Sequence, residues 1–170
     1  MRVLLVGGGC RGLELTRTLT AEGHAVRAVT RTEAGRAGIE KAGGECWIGD
    51  PDRIGSLRYA LANVTVLVWA LGTASGVNAG DLHGSRLEMM LERTVDTMVR
   101  GVVYEGPEDG RKIIERMCRL NEVPFAFLES DPADGPAWAA AARAAVESLL
   151  TAERPRVAGA PGEARLQRKP

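Results

Sequence analysis

Three glycines near the start of the chain are spaced to bring backbone against phosphate groups. Gly7, Gly9 and Gly12 form the pattern G-x-G-x-x-G directly after the apolar run 3–6. In such a loop the first glycine permits a tight turn, the second lets the backbone approach a pyrophosphate, and the third lets a helix pack closely on the sheet. The start of that helix offers free N–H groups to anions. The spacing therefore predicts a site for the phosphates of a dinucleotide.

Two further residues belong to the same loop. Cys10 and Arg11 stand between the second and third glycines, so we predict that both contact the dinucleotide. Arg11 brings a guanidinium, which binds phosphate groups well. For Cys10 the alternative is that it is only a small residue in a tight loop.

The elements around this loop alternate between strand and helix. Apolar runs predict six strands, at 3–6, 25–30, 45–48, 65–71, 99–104 and 124–128. Helical patterns lie between them, at 33–42, 53–62, 87–95 and 108–121, with a first helix that ends near Gly23 and a last one through Leu150. This alternation implies a parallel sheet covered on both faces. We predict an α/β, doubly wound Rossmann fold with about six parallel strands and no sizeable substrate domain.

Composition limits the classes of protein to which the chain can belong. Its 170 residues suffice for one domain with a hydrophobic core, and 22 basic residues balance 22 acidic ones. Zero net charge gives no global signature of nucleic-acid or membrane-surface binding. No apolar run reaches the roughly 18 residues of a membrane span, and the N-terminus does not have the pattern of a signal peptide. The three scattered cysteines match no metal or redox spacing. We expect a cytoplasmic protein with reduced thiols and no metal site.

At this point the chain resembles the atypical and extended short-chain dehydrogenase/reductase superfamily, in particular its NmrA-like NAD(P)-binding proteins. The matching segments are VLLVGGGCRG, AEGHAVRAVTR, GDPDRIGSLRYALANVTVLVWALG and RGVVYEG, which together span roughly residues 1–129. One departure concerns the glycine loop. Those relatives usually read G-x-x-G-x-x-G, and Val6 stands where their first glycine would be. The resemblance implies an NAD(P)-binding Rossmann domain over 1–151.

The residues after the second predicted strand favour a phosphorylated cofactor. NAD-specific units place an Asp or Glu there for the ribose hydroxyls, whereas this chain has Thr30 and Arg31. A guanidinium binds a 2′-phosphate that a carboxylate would repel, and Arg11 is expected to reach the same phosphate. Glu33 keeps NAD possible, because its carboxylate could turn back to a ribose. We predict NADP, although Arg31 is alternatively a solvated loop charge.

The resemblance also implies contacts further along the chain. Asp50 and Pro51 follow the third strand, where family members hydrogen-bond the adenine amino group. Asp50 is equally suited to a turn before proline, and the two roles are compatible. Ala70, Leu71 and Gly72 end the fourth strand, where small residues let the chain pass the cofactor.

Catalytic residues are harder to place. Family enzymes use a Tyr with a Lys four residues later, but Tyr59 is followed at that spacing by Asn63, and Tyr104 by Glu108. Tyr59 is expected on an exterior helix. Tyr104 ends the fifth strand, where parallel sheets bind ligands, and is the better candidate, although it could instead pack the rim of the sheet.

Other strand-end candidates surround Tyr104. His83 lies in the long loop 73–84, over the expected nicotinamide position, and could donate a proton or bind substrate. A lone loop histidine is alternatively inert. Glu105, Glu129 and Ser130 are further polar residues near the ends of the last two predicted strands.

The rest of the sequence leaves three functions open. We favour a small NADPH-dependent reductase of a carbonyl, quinone or flavin-like compound, since the cofactor carries hydride chemistry. The alternative is a redox sensor or partner-binding module that binds NAD(P) without turnover, and a third is a domain for another nucleotide such as FAD or a sugar nucleotide. Any substrate pocket must come from loops 73–84 and 130–136 or from a second subunit.

Residues 152–170 are rich in Pro, Gly and Arg and are predicted to form a basic disordered tail, either solubilising or in contact with nucleic acid or a partner.

Overall fold

The computed structural model describes residues 1–151, which form a six-stranded parallel sheet with helices on both faces. The strands are β1 (Arg2–Gly7), β2 (Ala25–Thr30), β3 (Glu45–Ile48), β4 (Val66–Ala70), β5 (Val102–Glu105) and β6 (Phe125–Phe127). The helices are α1 (Gly9–Ala21), α2 (Arg36–Lys41), α3 (Ser85–Thr94), α4 (Glu108–Leu120) and α5 (Gly135–Thr151), with 3₁₀ helices at Glu33–Gly35, Ile54–Leu61 and Asp81–His83. The predicted doubly wound α/β fold is confirmed. The predicted tail lies outside the described residues.

The strand order is β3-β2-β1-β4-β5-β6, so β1 and β4 lie side by side although they are not consecutive. Their parallel pairing runs from Val3 opposite Val66 to Gly7 opposite Ala70. The chain winds outward from β1 to β3 and then returns to wind from β4 to β6. In such sheets a crevice opens beyond the carboxyl ends of the two central strands, and ligands bind there.

Two apolar layers cover the sheet, and neighbouring residues of one strand belong to opposite layers. Leu5 of β1 packs in the same cluster as Trp138 of α5. Leu4, the preceding residue, packs with Trp69 and Leu87 on the other face. This alternation is the two-residue period of a strand. Because both faces are covered, β1 and β4 are apolar almost throughout.

The segment 53–62, predicted as an α-helix, is instead the 3₁₀ helix Ile54–Leu61. Its buried residues include Ile54, Leu57 and Ala60, which recur at every third position. Three residues per turn is the period of a 3₁₀ helix. The predicted helix is therefore present, but as a 3₁₀ helix rather than an α-helix.

Two smaller differences lie beyond residue 98. Leu120, an apolar residue of the predicted helix 108–121, is 80% exposed. The buried residues of this helix, Gly110, Ile114 and Cys118, lie four apart, and Leu120 follows Cys118 by about 200° of rotation. The strand predicted from residue 99 begins only at Val102, where it pairs with β4 and β6.

Candidate functional site

A cleft of about 780 Å³ lies at the carboxyl ends of the central strands, in the crevice that the strand order creates. This volume is within the usual range for small-molecule and cofactor sites. Many of the residues predicted to bind a dinucleotide line it: Gly7, Gly9, Cys10, Gly12, Thr30, Arg31, Asp50, Pro51 and Leu71. Three of the predicted residues, Arg11, Ala70 and Gly72, lie beside the cleft rather than in its wall.

The glycine loop forms a turn that only glycine fits. Gly7 has φ of +90°, and a Cβ there would lie 2.3 Å from the carbonyl oxygen of Ala70. The N–H of Gly8 donates to the same carbonyl over 2.8 Å, which ties the turn to the end of β4. A Cβ on Gly12 would lie 2.9 Å from the Gly7 carbonyl oxygen, so α1 packs tightly against the turn.

The start of α1 is open to a ligand. Within residues 1–151 no side chain caps this helix, so its first N–H groups retain hydrogen-bonding capacity. A Cβ on Gly9 would meet no atom within 4 Å, which means that the backbone here borders open space. The positive end of the helix dipole is therefore directed at the cleft, where it attracts anions.

The end of β2 supplies the second cationic feature of the cleft. Arg31 is exposed, and among the described residues that line the cleft it is the one with a basic side chain. Glu33, which could have turned back to a ribose, forms an ion pair with Arg36 instead, and this hydrogen bond lowers the pKa of the Glu33 carboxyl. A phosphate near Arg31 therefore meets a guanidinium without a competing carboxylate from Glu33.

Asp52 also lines the cleft, although nothing in the sequence pattern distinguishes it. Its carboxylate accepts hydrogen bonds from Arg86 Nε at 3.0 Å and from Asn78 Nδ2 at 2.9 Å. These bonds lower the pKa of Asp52, Arg86 having the larger effect. Because Asn78 belongs to the loop 73–79 that lines the cleft, Asp52 helps to hold this loop in place. Asp50 accepts the N–H of Asp52 at 3.0 Å, so it is a turn residue that also lines the cleft.

Arg11 lies in a different place from the one predicted. Its guanidinium forms an ion pair of 2.8 Å with Glu105 at the end of β5, donates to Thr73 Oγ1 over 3.2 Å, and stacks 4.6 Å from the ring centroid of Trp138. Two strands separate β5 from β2, so Glu105 and Arg31 are about 14 Å apart along the sheet edge. The expectation that Arg11 shares a phosphate with Arg31 is therefore corrected.

Glu105 is the centre of this group. Its Oε1 also accepts from Trp138 Nε1 at 3.0 Å, and its Oε2 accepts from the N–H of Gly72 at 3.3 Å. Trp138 was missed in the sequence, although it is the one large aromatic residue in the alanine-rich segment 135–151. Of the other strand-end candidates, Glu129 is an exposed partner of Arg111.

The two catalytic candidates lie together, but under the surface. Tyr104 is fully buried and His83 is 7% exposed, and neither lines the cleft. His83 Nε2 lies 3.2 Å from the carbonyl oxygen of Leu71 and Nδ1 lies 2.7 Å from the Tyr104 hydroxyl. A carbonyl only accepts, so Nε2 donates and Nδ1 accepts the tyrosine proton.

The position of this pair corrects the expectation that His83 is an open loop residue above the site. It belongs to the 3₁₀ helix Asp81–His83 and packs against β5. Burial raises the pKa of Tyr104 above its ordinary value and lowers the pKa of His83. Burial thus favours the neutral form of both side chains, and His83 supports Leu71 at the wall of the cleft through its hydrogen bond. Tyr59, in contrast, is 71% exposed as expected.

Within residues 1–151, no three His, Cys, Asp or Glu side chains come together as a metal site would require. Over the same range, the helices are too short or too polar to cross a membrane.

Solved structures share this fold. Triphenylmethane reductase from Citrobacter sp., in complex with NADP(H), matches with a TM-score of 0.60 and 20% identity over 75% of this chain and 48% of its own. UDP-glucuronic acid 4-epimerase from Bacillus cereus, in complex with NAD, matches with a TM-score of 0.59 and 13% identity over 75% and 55%. Vestitone reductase from alfalfa matches with a TM-score of 0.54 and 12% identity over 74% and 55%.

The likeness to these structures concerns the fold, and it agrees with the fold predicted from the sequence. The chain spans about half the length of each of them. No protein-family model and no curated protein sequence matches the chain.

Proposed function

We propose that the cleft binds NADP(H). The observation that carries this proposal is the presence of two anion-binding features in one cleft, namely the uncapped start of α1 and Arg31 at the end of β2. The first suits a pyrophosphate. The second suits the 2′-phosphate by which NADP differs from NAD. The complexes of the reductase with NADP(H) and of the epimerase with NAD support this ligand class.

The residues of the cleft fit such a cofactor. Gly9 borders open space where a side chain would obstruct a phosphate. Asp50 lines the cleft, where its carboxylate can accept a hydrogen bond from an adenine amino group. Leu71 contributes an apolar surface for the ribose.

We propose further that the protein is a small NADPH-dependent reductase of a carbonyl, quinone or flavin-like compound. The bound cofactor supplies the hydride, and the protein binds and orients the two reactants. Since Tyr104 and His83 are buried away from the cleft, the proton comes from the substrate or from solvent. The reductases among the structures of the same fold support this activity.

The second candidate is a module that binds NADP(H) without turnover, as a redox sensor or a partner-binding protein. Burial of Tyr104 and His83 favours it, because the side chains best suited to proton transfer have no path to the cleft in residues 1–151. The two functions share the same binding site and differ in whether an acceptor reaches it.

A titration separates these alternatives. Binding of NADPH and NADH to the purified protein is measured by titration calorimetry, and a quinone, a flavin and an aldehyde are then added while the absorbance of the reduced nicotinamide is followed. We expect tighter binding of NADPH than of NADH. Oxidation of bound NADPH after addition of an acceptor supports the reductase, and binding without oxidation supports the sensor. Failure of both cofactors to bind would refute the proposal.

A further inference from the structure

Within residues 1–151, the walls of the cleft come from the β1–β2 side of the central crevice and from the loop that follows β4, but not from β5 or β6. Its described lining comes from β1, the start of α1, the end of β2, the turn at 50–52 and the loop 73–79 with Leu82, and none of it from β5 or β6. A dinucleotide in this fold lies across the crevice, with one half on the β2 side and the other on the β4–β5 side. The cleft therefore provides a site for the half on the β2 side.

Arg11 occupies the other side. Its side chain runs from the start of α1 past Thr73, which follows β4, to Glu105 at the end of β5. The side chains of Arg11 and Glu105 are only 11% and 7% exposed, and Trp138 covers the guanidinium. The four side chains form a bridge, which we call the Arg11–Glu105 bridge, across the position where a dinucleotide would continue.

The bridge is expected to resist displacement. Glu105 accepts hydrogen bonds through both carboxylate oxygens, from Arg11 and Trp138 at one and from the Gly72 N–H at the other. Pushing Arg11 aside leaves a buried carboxylate without its cation, which is unfavourable. Contacts that a nicotinamide half gains on the β5 side are therefore offset by the loss of this ion pair.

The residues that line the cleft indicate which ligand it can bind. Arg31 and the start of α1 are two separate places for phosphate, and the apolar residues Ala28 and Ile39 line the cleft near them. A nucleoside with one phosphate on the 2′-oxygen and one on the 5′-oxygen presents its anions at both places and its base to the apolar surface.

We propose that the cleft is specific for the adenosine 2′,5′-bisphosphate half of NADP and that the Arg11–Glu105 bridge prevents the nicotinamide half from adding affinity. This inference rests on the proposed function, since it concerns the same site. It makes Arg11 a residue that determines which part of the ligand is held. It also means that hydride transfer requires the bridge to open.

The test compares ligands by titration calorimetry. Adenosine 2′,5′-bisphosphate and NADP⁺ are titrated into the wild-type chain, into the double variant Arg11→Met/Glu105→Gln, and into the control Arg116→Met/Glu88→Gln, which removes an exposed ion pair between α4 and α3. The first double variant removes both charges together, so no buried charge is left unpaired. The amide side chain introduced at position 105 retains an oxygen that can accept from the neighbouring N–H groups.

We expect the wild type and the control to bind the two ligands with dissociation constants within about threefold of each other, and the bridge variant to bind NADP⁺ at least about tenfold more tightly than the bisphosphate. If the wild type already binds NADP⁺ about tenfold more tightly, the inference is wrong while the proposed function stands. If equal affinities persist in the bridge variant, Arg11 has no such role. If neither ligand binds the wild type, the proposed function itself fails. Should the bridge variant not fold, as seen by circular dichroism, the wild-type ratio alone decides.

Discussion

Glu105 is held by hydrogen bonds from three separate parts of the chain. Arg11 in α1 and Trp138 in α5 donate to one carboxylate oxygen, and the Gly72 N–H after β4 donates to the other. With the side chain 7% exposed, these bonds replace most of the water that a free carboxylate would bind. Such a group stabilises its surroundings only while its partners remain in place.

Glu105→Ala is expected to destabilise the protein strongly, because it leaves the buried guanidinium of Arg11 without its carboxylate. A loss of about 3 kcal/mol in the free energy of unfolding follows from similar buried pairs. Urea denaturation measures it. The control Glu88→Ala breaks an exposed pair with Arg116 and should cost less than about 1 kcal/mol. Equal losses in the two variants would contradict this account of Glu105.

His83 should make stability depend on pH. Burial lowers the pKa of its imidazole below the ordinary value of 6.5, against a smaller opposing effect of the hydrogen bond to Leu71. The unfolded chain then binds a proton at higher pH than the native one, so the free energy of unfolding decreases as pH falls below about 6.5. In His83→Gln this part of the profile should be flatter. Denaturant unfolding at several pH values checks it, and an unchanged slope would assign the effect to other groups.

At the scale of single elements, α1 depends on its close approach to the turn before it. A Cβ on Gly12 would lie 2.9 Å from the carbonyl oxygen of Gly7, a backbone atom that cannot rotate away. Gly12→Ala is therefore expected to shift the helix and to lower the free energy of unfolding by about 1–3 kcal/mol. The matched control is Gly55→Ala, where a Cβ meets nothing within 4 Å. If the Gly12 variant is as stable as this control, α1 can shift away from the turn without loss of stability, which would contradict this prediction.

The loop 73–79 is a second element whose position depends on a few bonds. Asp52 binds Asn78 from this loop and Arg86 from α3. In Asp52→Ala both bonds are lost, so we expect faster amide hydrogen exchange in 73–79 and weaker nucleotide binding, with the sheet unaffected. Asp96→Ala changes an exposed carboxylate away from the cleft and serves as the control. Unchanged exchange in the loop of the Asp52 variant would show that other contacts hold it.

At the scale of the whole molecule, the sheet and most of the cleft follow from local patterns. The apolar runs of β1 and β4 are continuous in sequence, and Gly7, Gly9 and Gly12 lie within six positions. Because parallel strands end at one edge of a sheet, Thr30, Arg31 and the segment 50–51 are expected near this loop, and all of them line the cleft. The position of these residues at this edge of the sheet can be predicted from the order of the strands and helices alone.

The Arg11–Glu105 bridge could not be predicted in the same way. Its two charges are 94 positions apart, and the third member, Trp138, comes from the last helix. Which side chains pair here depends on which of them are buried together when α5 packs on the sheet. No periodic pattern in the sequence indicates this. His83 was misplaced for a similar reason, since a polar residue between glycines reads as an open loop until its hydrogen bond to Tyr104 is seen.

Recognition of NADP(H) in the cleft depends on contact between Arg31 and a phosphate. The most direct test measures the affinities of NADPH and NADH for the wild type, for Arg31→Glu and for Arg58→Glu, a reversal of charge at an exposed position outside the cleft. We predict that Arg31→Glu weakens NADPH binding at least about tenfold while NADH binding changes by less than about threefold, and that Arg58→Glu alters neither. Equal losses of both cofactors in Arg31→Glu, or no loss of NADPH affinity, would contradict the account.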